Sequence, residues 1–119
     1  MKLSEIRSLL QADVLVGEEA LDTTEVEKGY ASDLMSDVLA FASPAVLLLT
    51  GLTHVQIFRT AQMLDIPSIV FVRGKTPGED LLQLARGAKM PILATCMSMF
   101  EASGRLYGAG LAACNIPRR

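Results

Sequence analysis

The sequence predicts an α/β fold, a three-layer α/β/α arrangement with a largely parallel sheet. Three apolar runs, Ala45–Leu49, Ser68–Val72 and Pro91–Ala94, start at even spacing, and each is followed by a polar junction and a helical pattern. Strands that alternate with helices in this way form parallel sheets with crossover helices. The apolar residues are mostly aliphatic and Trp is absent, which is typical of strands that helices cover on both faces.

Composition and charge exclude several classes of protein. Half of the 119 residues are apolar, so we expect one folded domain over residues 1–119. The net charge is −2 and no basic patch is evident, which argues against nucleic-acid binding. No apolar stretch approaches the roughly 20 residues that cross a bilayer. The two cysteines form no CxxC or His/Cys cluster, so we expect no zinc site and a reducing, cytoplasmic location.

The N-terminal third alternates short elements. Apolar residues at helical spacing predict a helix over residues 3–11. Asp13–Val16 is a short strand candidate that ends at Gly17. The acidic segment Glu18–Glu27 is interpreted as a surface loop, and Val26–Ala31 as a strand.

The first helix of the repeating part is predicted to begin at Ser32, an N-cap residue type, and to end at Pro44. Asp33, Ser36 and Asp37 would share its polar face, three and four residues apart. Two carboxylates offer too few oxygens for a hard cation. We therefore expect a solvated or interface face, with a cation site as the weaker alternative.

Cap residues also mark the starts of the later helices. Thr53 is the predicted cap of a helix that runs to about Leu64. In Thr76–Glu79, Thr at N-cap, Pro at N1 and Glu at N3 predict a strong helix start. Ser98–Glu101 has the same capping-box spacing and predicts the last helix.

The junctions that follow the three apolar runs are the candidate binding site. Ligands of open parallel sheets lie outside the carboxyl ends of the strands. The junctions Thr50–His54, Arg73–Pro77 and Thr95–Ser98, here called the rim, offer hydroxyls, one imidazole, two cations and helix N-termini, which suit an anion or a nucleotide phosphate. Neither a GxxxxGK[ST] loop nor a GxGxxG motif is present. The candidate ligand-binding residues are Thr50, Gly51, Thr53, His54, Arg73, Gly74, Lys75, Thr76, Thr95 and Ser98.

Each reactive side chain also has a structural interpretation. His54, the only histidine, either contacts a ligand or is a solvated first-turn residue, and alone it completes no hydrolytic triad. Arg73 and Lys75 either hold a phosphate or carboxylate or form a solvated turn. For Cys96 we expect a small buried core residue rather than a reactive thiolate, and for Cys114 a packing role. No residue is assigned a catalytic role.

Four segments resemble the DRTGG domain family and the related N-terminal domain of HPr kinase/phosphorylase. These are Tyr30–Val38, Thr53-His54, Arg73–Pro77 and Phe100–Tyr107. The name-giving letters differ, because Gly51-Leu52-Thr53-His54 replaces Gly-Asp-Arg and Val72-Arg73-Gly74 replaces Thr-Gly-Gly. The resemblance implies a three-layer α/β domain, similar also to Mur ligase N-terminal domains. It further implies a regulatory or dimerising module rather than a catalyst.

These observations favour a non-catalytic regulatory or ligand-sensing module, without a resident cofactor, that binds a nucleotide or other small anion at the rim. The segment Tyr107–Ile116 is nearly uncharged, so we expect the tail, residues 108–119, to pack in an interface, most simply in a homodimer. One alternative is a protein–protein interaction or assembly subunit without a small-molecule site. Another is a small phosphotransfer or hydrolytic enzyme.

Overall fold

A computed structural model describes residues 1–117 and has the predicted three-layer α/β/α architecture. The two terminal arginines of the predicted tail lie outside the described residues. The elements are α1 (Leu3–Leu10), β1 (Asp13–Val16), β2 (Lys28–Ala31), α2 (Met35–Phe41), β3 (Val46–Thr50), α3 (Val55–Met63), β4 (Ser68–Phe71), α4 (Glu79–Ala88), β5 (Ile92–Ala94), α5 (Met99–Gly108) and β6 (Ala112–Ala113).

The six strands form one sheet in the order β1-β5-β4-β3-β2-β6. Strands β2 to β5 run parallel, β6 pairs parallel with β2, and β1 pairs antiparallel with β5. The four central strands thus lie side by side in chain order. Such an order follows from short right-handed crossovers that add one strand after another on the same side.

The helices divide unequally between the two faces of the sheet. Buried residues of α2, α3 and α4 pack on one face, whereas α1 and α5 pack on the other. Successive side chains of strand β3 point to opposite faces of the sheet. Leu47 and Leu49 join the core on the side of α1 and α5, and Leu48 joins the core on the other side. All five residues of β3 are buried, as expected of a strand covered on both faces.

Three of the four predicted helix starts were wrong by about a turn or less. The Ser32 hydroxyl accepts a hydrogen bond from the Leu34 N–H at 3.0 Å, so it closes a turn ahead of α2 instead of capping the helix. Thr53 and Thr76 likewise belong to loops, since His54 and Gly78 occupy the N-cap positions of α3 and α4. In each case a Ser or Thr residue, of a type that often caps helices, lies instead in the loop between the strand and the helix.

The start of α5 is confirmed. Ser98 is its N-cap residue, and the Ser98 hydroxyl accepts a hydrogen bond from the Glu101 N–H at 3.1 Å. The carboxylate of Glu101 pairs with Arg105 at 3.2 Å. The helix ends at Gly108, and the predicted tail then forms β6 beside β2.

The segment Glu18–Glu27 is less loop-like than its composition predicts. It contains a short 3-10 turn at Glu18–Ala20 and buries Leu21 and Val26 in the core. Its carbonyls also accept hydrogen bonds from the first N–H groups of α1, for example from Ser4 to Leu21 at 3.1 Å. The segment therefore satisfies helix-end donors that have no partner within the helix.

Two predictions need correction: that Cys96 is buried and that Asp33 lies on a helix face with Ser36. Cys96 is exposed, because β5 ends at Ala94 and the last buried position goes to Thr95. Asp33 does not share a helix face with Ser36, since it lies in the loop before α2.

Among residues 1–117, no helix is both long and apolar enough to cross a membrane.

Candidate functional site

The three predicted junctions meet at one edge of the sheet. Strands β3, β4 and β5 are adjacent and parallel, so their carboxyl ends point the same way. The β2–α2 loop lies beside them, because β2 pairs with β3. This neighbouring loop brings Asp33 to the rim, although the sequence pattern predicts Asp33 on a helix face.

An ion pair between Asp33 and Arg73 spans the rim. The Asp33 Oδ2 atom accepts a hydrogen bond from Arg73 Nη1 at 2.7 Å, and Oδ1 accepts one from the Gly51 N–H at 2.7 Å. The Thr50 hydroxyl donates to the same Oδ1 at 3.4 Å. A single carboxylate thus connects the loops that follow β2, β3 and β4.

This environment sets the charge state of Asp33. Partial burial by itself would raise the pKa of this carboxyl group. The hydrogen bond from the Gly51 N–H and the Arg73 guanidinium outweigh burial, and they hold the pKa below its ordinary value. Asp33 is therefore a carboxylate near neutral pH.

The Arg73 guanidinium packs directly against Gly51. A Cβ atom built on Gly51 would lie 2.2 Å from Nη2 of Arg73, so the close approach depends on the missing side chain. Arg73 itself has a φ of 61° and Gly74 a φ of 70°. With the bond from the Lys75 N–H to the Val72 carbonyl at 3.1 Å, this is the pattern of a tight type I′ turn.

Backbone hydrogen bonds fasten this turn to the next junction. The Arg73 N–H donates to the Met97 carbonyl at 2.8 Å, and the Gly74 N–H donates to the Thr95 carbonyl at 3.0 Å. The loop after β5 therefore holds the backbone of the turn that carries the Arg73 side chain. Two junctions of the rim act as one connected unit.

A crevice of about 280 Å³ opens between the same two junctions. The chain leaves β4 for α4 on one face and leaves β5 for α5 on the other. Parallel sheets characteristically bind ligands where consecutive connections diverge in this manner. The lining residues are Leu10, Gln11, Asp13, Gly74, Thr76, Ala94, Thr95, Cys96 and Met97.

Two predicted hydroxyls are engaged in structural bonds. Thr95 is buried, and its hydroxyl donates to the Leu10 carbonyl at 2.7 Å and accepts from the Met97 N–H at 3.2 Å. Thr50 is also buried and accepts from the Leu52 N–H at 3.1 Å. Each side chain therefore shapes its loop instead of presenting a free hydroxyl.

The ten predicted site residues thus fall into three groups. Thr50, Gly51 and Arg73 belong to the Asp33 cluster, whereas Gly74, Thr76 and Thr95 line the crevice. The others flank them: Thr53 is half-buried, Lys75 and Ser98 are exposed, and His54 is the exposed N-cap residue of α3 without a side-chain cap bond. Gln11, Asp13 and Cys96 were missed as lining residues.

A second and larger concavity lies away from the rim. This apolar groove of about 410 Å³ runs between α5 and the sheet edge that β2 and β6 form. Phe100 and Tyr107 stand at its side with 89% and 71% of their surface exposed. The lining residues are Gly29, Tyr30, Ala31, Leu49, Phe100, Ser103, Gly104, Leu106, Tyr107, Leu111, Ala112, Ala113, Cys114 and Ile116.

One similar solved structure comprises the CBS and DRTGG domains of the regulatory region of a Clostridium perfringens pyrophosphatase, complexed with the activator diadenosine tetraphosphate. The TM-score is 0.72 with 20% sequence identity over 88% of this chain. The chain has a DRTGG-like fold. The match spans 45% of the pyrophosphatase chain, and at this identity the DRTGG-like fold is what the comparison establishes. No protein-family model and no curated protein matches the sequence.

The DRTGG-like fold agrees with the resemblance that the sequence motifs indicated. The similarity to HPr kinase and Mur ligase domains stays a prediction. Within residues 1–117, no group of three His, Cys, Asp or Glu side chains is placed to hold a metal ion.

Proposed function

We propose that this chain is a non-catalytic regulatory module that binds a nucleotide or another small anion at the rim. The main support for the proposal is the crevice between the β4–α4 and β5–α5 junctions. At this place the connections after two neighbouring strands leave on opposite faces of the sheet, and parallel sheets characteristically bind ligands there. The fold of a regulatory region that was crystallised with a nucleotide activator supports the same assignment.

Lys75 is next in the sequence to two lining residues of the crevice, and Asp13 is the charged side chain among the described lining residues. Lys75 is exposed and lies between Gly74 and Thr76, which both line the crevice. It forms no ion pair with any residue in 1–117. A flexible ammonium group at this position can meet a phosphate without first breaking another contact.

Helix α5 gives a physical route from the crevice to a second surface. Its N-cap residue Ser98 follows Met97, a lining residue of the crevice. Phe100 and Gly104, two and six residues after Ser98, line the apolar groove. A ligand that repositions the start of α5 would therefore change the groove, which is how binding at the rim would be transmitted to a partner.

Thermal-shift measurements test the proposal, with ATP, AMP, diadenosine tetraphosphate and inorganic phosphate as separate probes. A ligand at tenfold excess over its Kd stabilises the fold by about 1.4 kcal/mol. We expect Lys75→Ala to reduce the shift, and Arg59→Ala, an exposed cation on α3 without an ion pair in the described chain, to leave it unchanged. The proposal fails if no probe raises the Tm at millimolar concentration.

The apolar groove favours a second candidate, a protein–protein interaction or assembly subunit without a small-molecule site. Its exposed aromatic side chains are of the type that interfaces use as anchors. In this case His54→Ala and Arg73→Ala would leave partner capture unchanged, whereas a charge placed at Phe100 would abolish it. A rise in Tm with nucleotide separates the two candidates, because an assembly subunit without a small-molecule site would show none.

A further inference from the structure

Residues of opposite charge lie on the two sides of the end of β5. Strand β5 is the neighbour of both β1 and β4 in the sheet. Asp13, the first residue of β1, pairs with Ala94, the last residue of β5. On the other side, the Gly74 N–H donates to the Thr95 carbonyl at 3.0 Å, and Lys75 is the next residue. A ligand over the end of β5 therefore has a carboxylate on one side and a lysine on the other.

The connection between α1 and β1 is fastened to the end of β5. The buried Thr95 hydroxyl donates to the Leu10 carbonyl at 2.7 Å. Ala12, two residues later, is buried in the core. These contacts set the backbone positions of Gln11 and Asp13 before any ligand binds, which reduces the entropic cost of recognition.

The polar side chains of this connection are available to a ligand. Gln11 and Asp13 both line the crevice and are exposed. Neither side chain makes a hydrogen bond or an ion pair with residues 1–117. A carboxylate only accepts hydrogen bonds, whereas an amide donates and accepts them. Because a phosphate is repelled by the charge of Asp13 and offers it no donor, the group beside Asp13 must be a neutral donor such as a hydroxyl.

We propose that the crevice recognises a ribose phosphate, free or as part of a ribonucleotide, with Asp13 and Gln11 bound to the sugar hydroxyls and Lys75 to the phosphate. This inference rests on the proposed function and names the ligand class of the same site. In other parallel sheets that bind nucleotides, an acidic residue likewise bonds the ribose 2′-hydroxyl. The crevice would therefore distinguish ribose from 2-deoxyribose.

The dimensions of the crevice fit this part of a nucleotide. Strand β1 and the β4–α4 junction are two strand spacings apart, roughly 10 Å. A ribose 5-phosphate fills this span together with the two side chains that hold it, because its vicinal hydroxyls and its phosphate lie at opposite ends of the molecule. The crevice volume of about 280 Å³ is at the lower limit of ligand pockets, about 300 Å³. The base of a nucleotide therefore stays outside, and its identity should matter little.

Isothermal titration calorimetry with paired sugars tests the proposal. The pairs are ATP with 2′-deoxy-ATP and ribose 5-phosphate with 2-deoxyribose 5-phosphate, and GTP is the probe for the base. We expect the deoxy member of each pair to bind about tenfold more weakly, as for the loss of a hydrogen bond to a charged group. ATP and GTP should bind alike. Binding of ribose 5-phosphate without ATP would identify the free sugar phosphate as the source of the recognised group.

Asp13→Asn separates sugar recognition from simple repulsion of anions. The ratio of the affinities for ATP and 2′-deoxy-ATP, about ten in the parent, should fall toward one in the variant. If Asp13 only repelled phosphate, the variant would bind both nucleotides more tightly and keep their ratio, which overturns the proposal. Asp22→Asn is the matched control, because Asp22 is exposed and lines a different concavity. It should leave the ratio unchanged, and circular dichroism establishes that both variants are folded.

The same titrations distinguish a failure of this inference from a failure of the proposed function. Equal binding of ATP and 2′-deoxy-ATP by the parent chain overturns the sugar assignment and leaves an anion site at the rim. Absence of binding by every probe overturns both.

Discussion

Asp33 and Arg73 lie 40 residues apart in the sequence and form an ion pair with an Oδ2–Nη1 distance of 2.7 Å. The pair spans the β3–α3 loop and connects the loops after β2 and β4. Both side chains keep about two-fifths of their surface exposed, 39% for Asp33 and 41% for Arg73. Solvent therefore screens the attraction, and the role of the pair is to fix loop geometry more than to stabilise the fold.

Replacement of Asp33 by Asn should make stability less dependent on pH. Because the folded-state pKa of Asp33 lies below the ordinary value of 3.8, the carboxylate stabilises the fold above that pH, and the effect is lost as the pH falls through the folded-state pKa. We expect the Tm at neutral pH to drop by about 4 °C or less, as for a loss of about 1 kcal/mol. The difference from the parent should vanish in strong acid.

The matched control for this titration is Asp22→Asn. Asp22 is exposed and its side chain makes no hydrogen bond or ion pair with residues 1–117. Its Tm profile against pH should follow the parent. If Asp33→Asn also followed the parent from neutral pH to strong acid, the described ion pair would contribute nothing in solution.

Gly51→Ala should disrupt the same pair indirectly. The new methyl group would lie 2.2 Å from Arg73 Nη2, so the guanidinium must move away from Asp33. We expect a loss of stability in the parent background and a smaller loss in an Arg73→Ala background, because the clash is then absent. Urea unfolding of the four proteins of this double-mutant cycle measures the coupling.

Gly87→Ala is the control for glycine replacement. Gly87 lies inside α4, and a Cβ there would meet no atom within 4 Å. Alanine should stabilise the helix by about 0.5–1 kcal/mol through reduced backbone freedom in the unfolded chain. Opposite signs at the two glycines are the expected result, and additive effects of Gly51→Ala and Arg73→Ala would contradict the proposed contact.

Thr95→Val should destabilise the fold without changing side-chain size much. The hydroxyl is buried and bonds the Leu10 carbonyl at 2.7 Å, so valine leaves that acceptor at the end of α1 unpaired. An unsatisfied buried group costs about 1–3 kcal/mol. Chemical unfolding should show this loss, and hydrogen exchange should show faster opening of α1.

Thr95→Ser is the control variant for Thr95→Val. It retains the hydroxyl and removes one methyl group, so it should lose much less stability than Thr95→Val. Equal losses in the two variants would mean that packing of the methyl group, and not the hydrogen bond to Leu10, accounts for the effect.

Strands β3, β4 and β5 could be predicted from the sequence because burial on both faces requires continuous apolar runs. The predicted Ala45–Leu49 is shifted by one residue at each end from the observed β3, and burial of every side chain leaves little freedom for another interpretation. Helix starts were harder. The Thr76–Glu79 pattern satisfies the local capping rule, yet the chain needs these residues to span the gap between β4 and α4.

The site was only partly predictable, because its decisive contacts are not local. Asp33 pairs with a residue 40 positions away, and no motif links the two. The exposure of Cys96 depends on where β5 ends. A run of apolar residues predicts the strand but does not show at which residue the strand ends. The apolar groove likewise lies between α5 and the edge formed by β2 and β6, which the topology brings together from distant parts of the sequence.

The two cysteines should react with thiol reagents at different rates. Cys96 is exposed at the crevice, whereas Cys114 is partly buried, and burial raises its pKa. A raised pKa leaves less thiolate at a given pH, and the thiolate is the reacting species. Labelling with iodoacetamide at mildly alkaline pH should therefore show a fast and a slow phase, and Cys96→Ser should remove the fast one.

The same reaction reports on the rim. A nucleotide bound in the crevice would cover Cys96, so saturating ATP should slow the fast phase and leave the slow phase of Cys114 unchanged. Lys75→Ala should weaken this protection, because it removes the cation beside the crevice, while Arg59→Ala should not. If a nucleotide that raises the Tm left Cys96 fully reactive, binding would have to occur elsewhere on the chain, and the crevice would lose its assigned role.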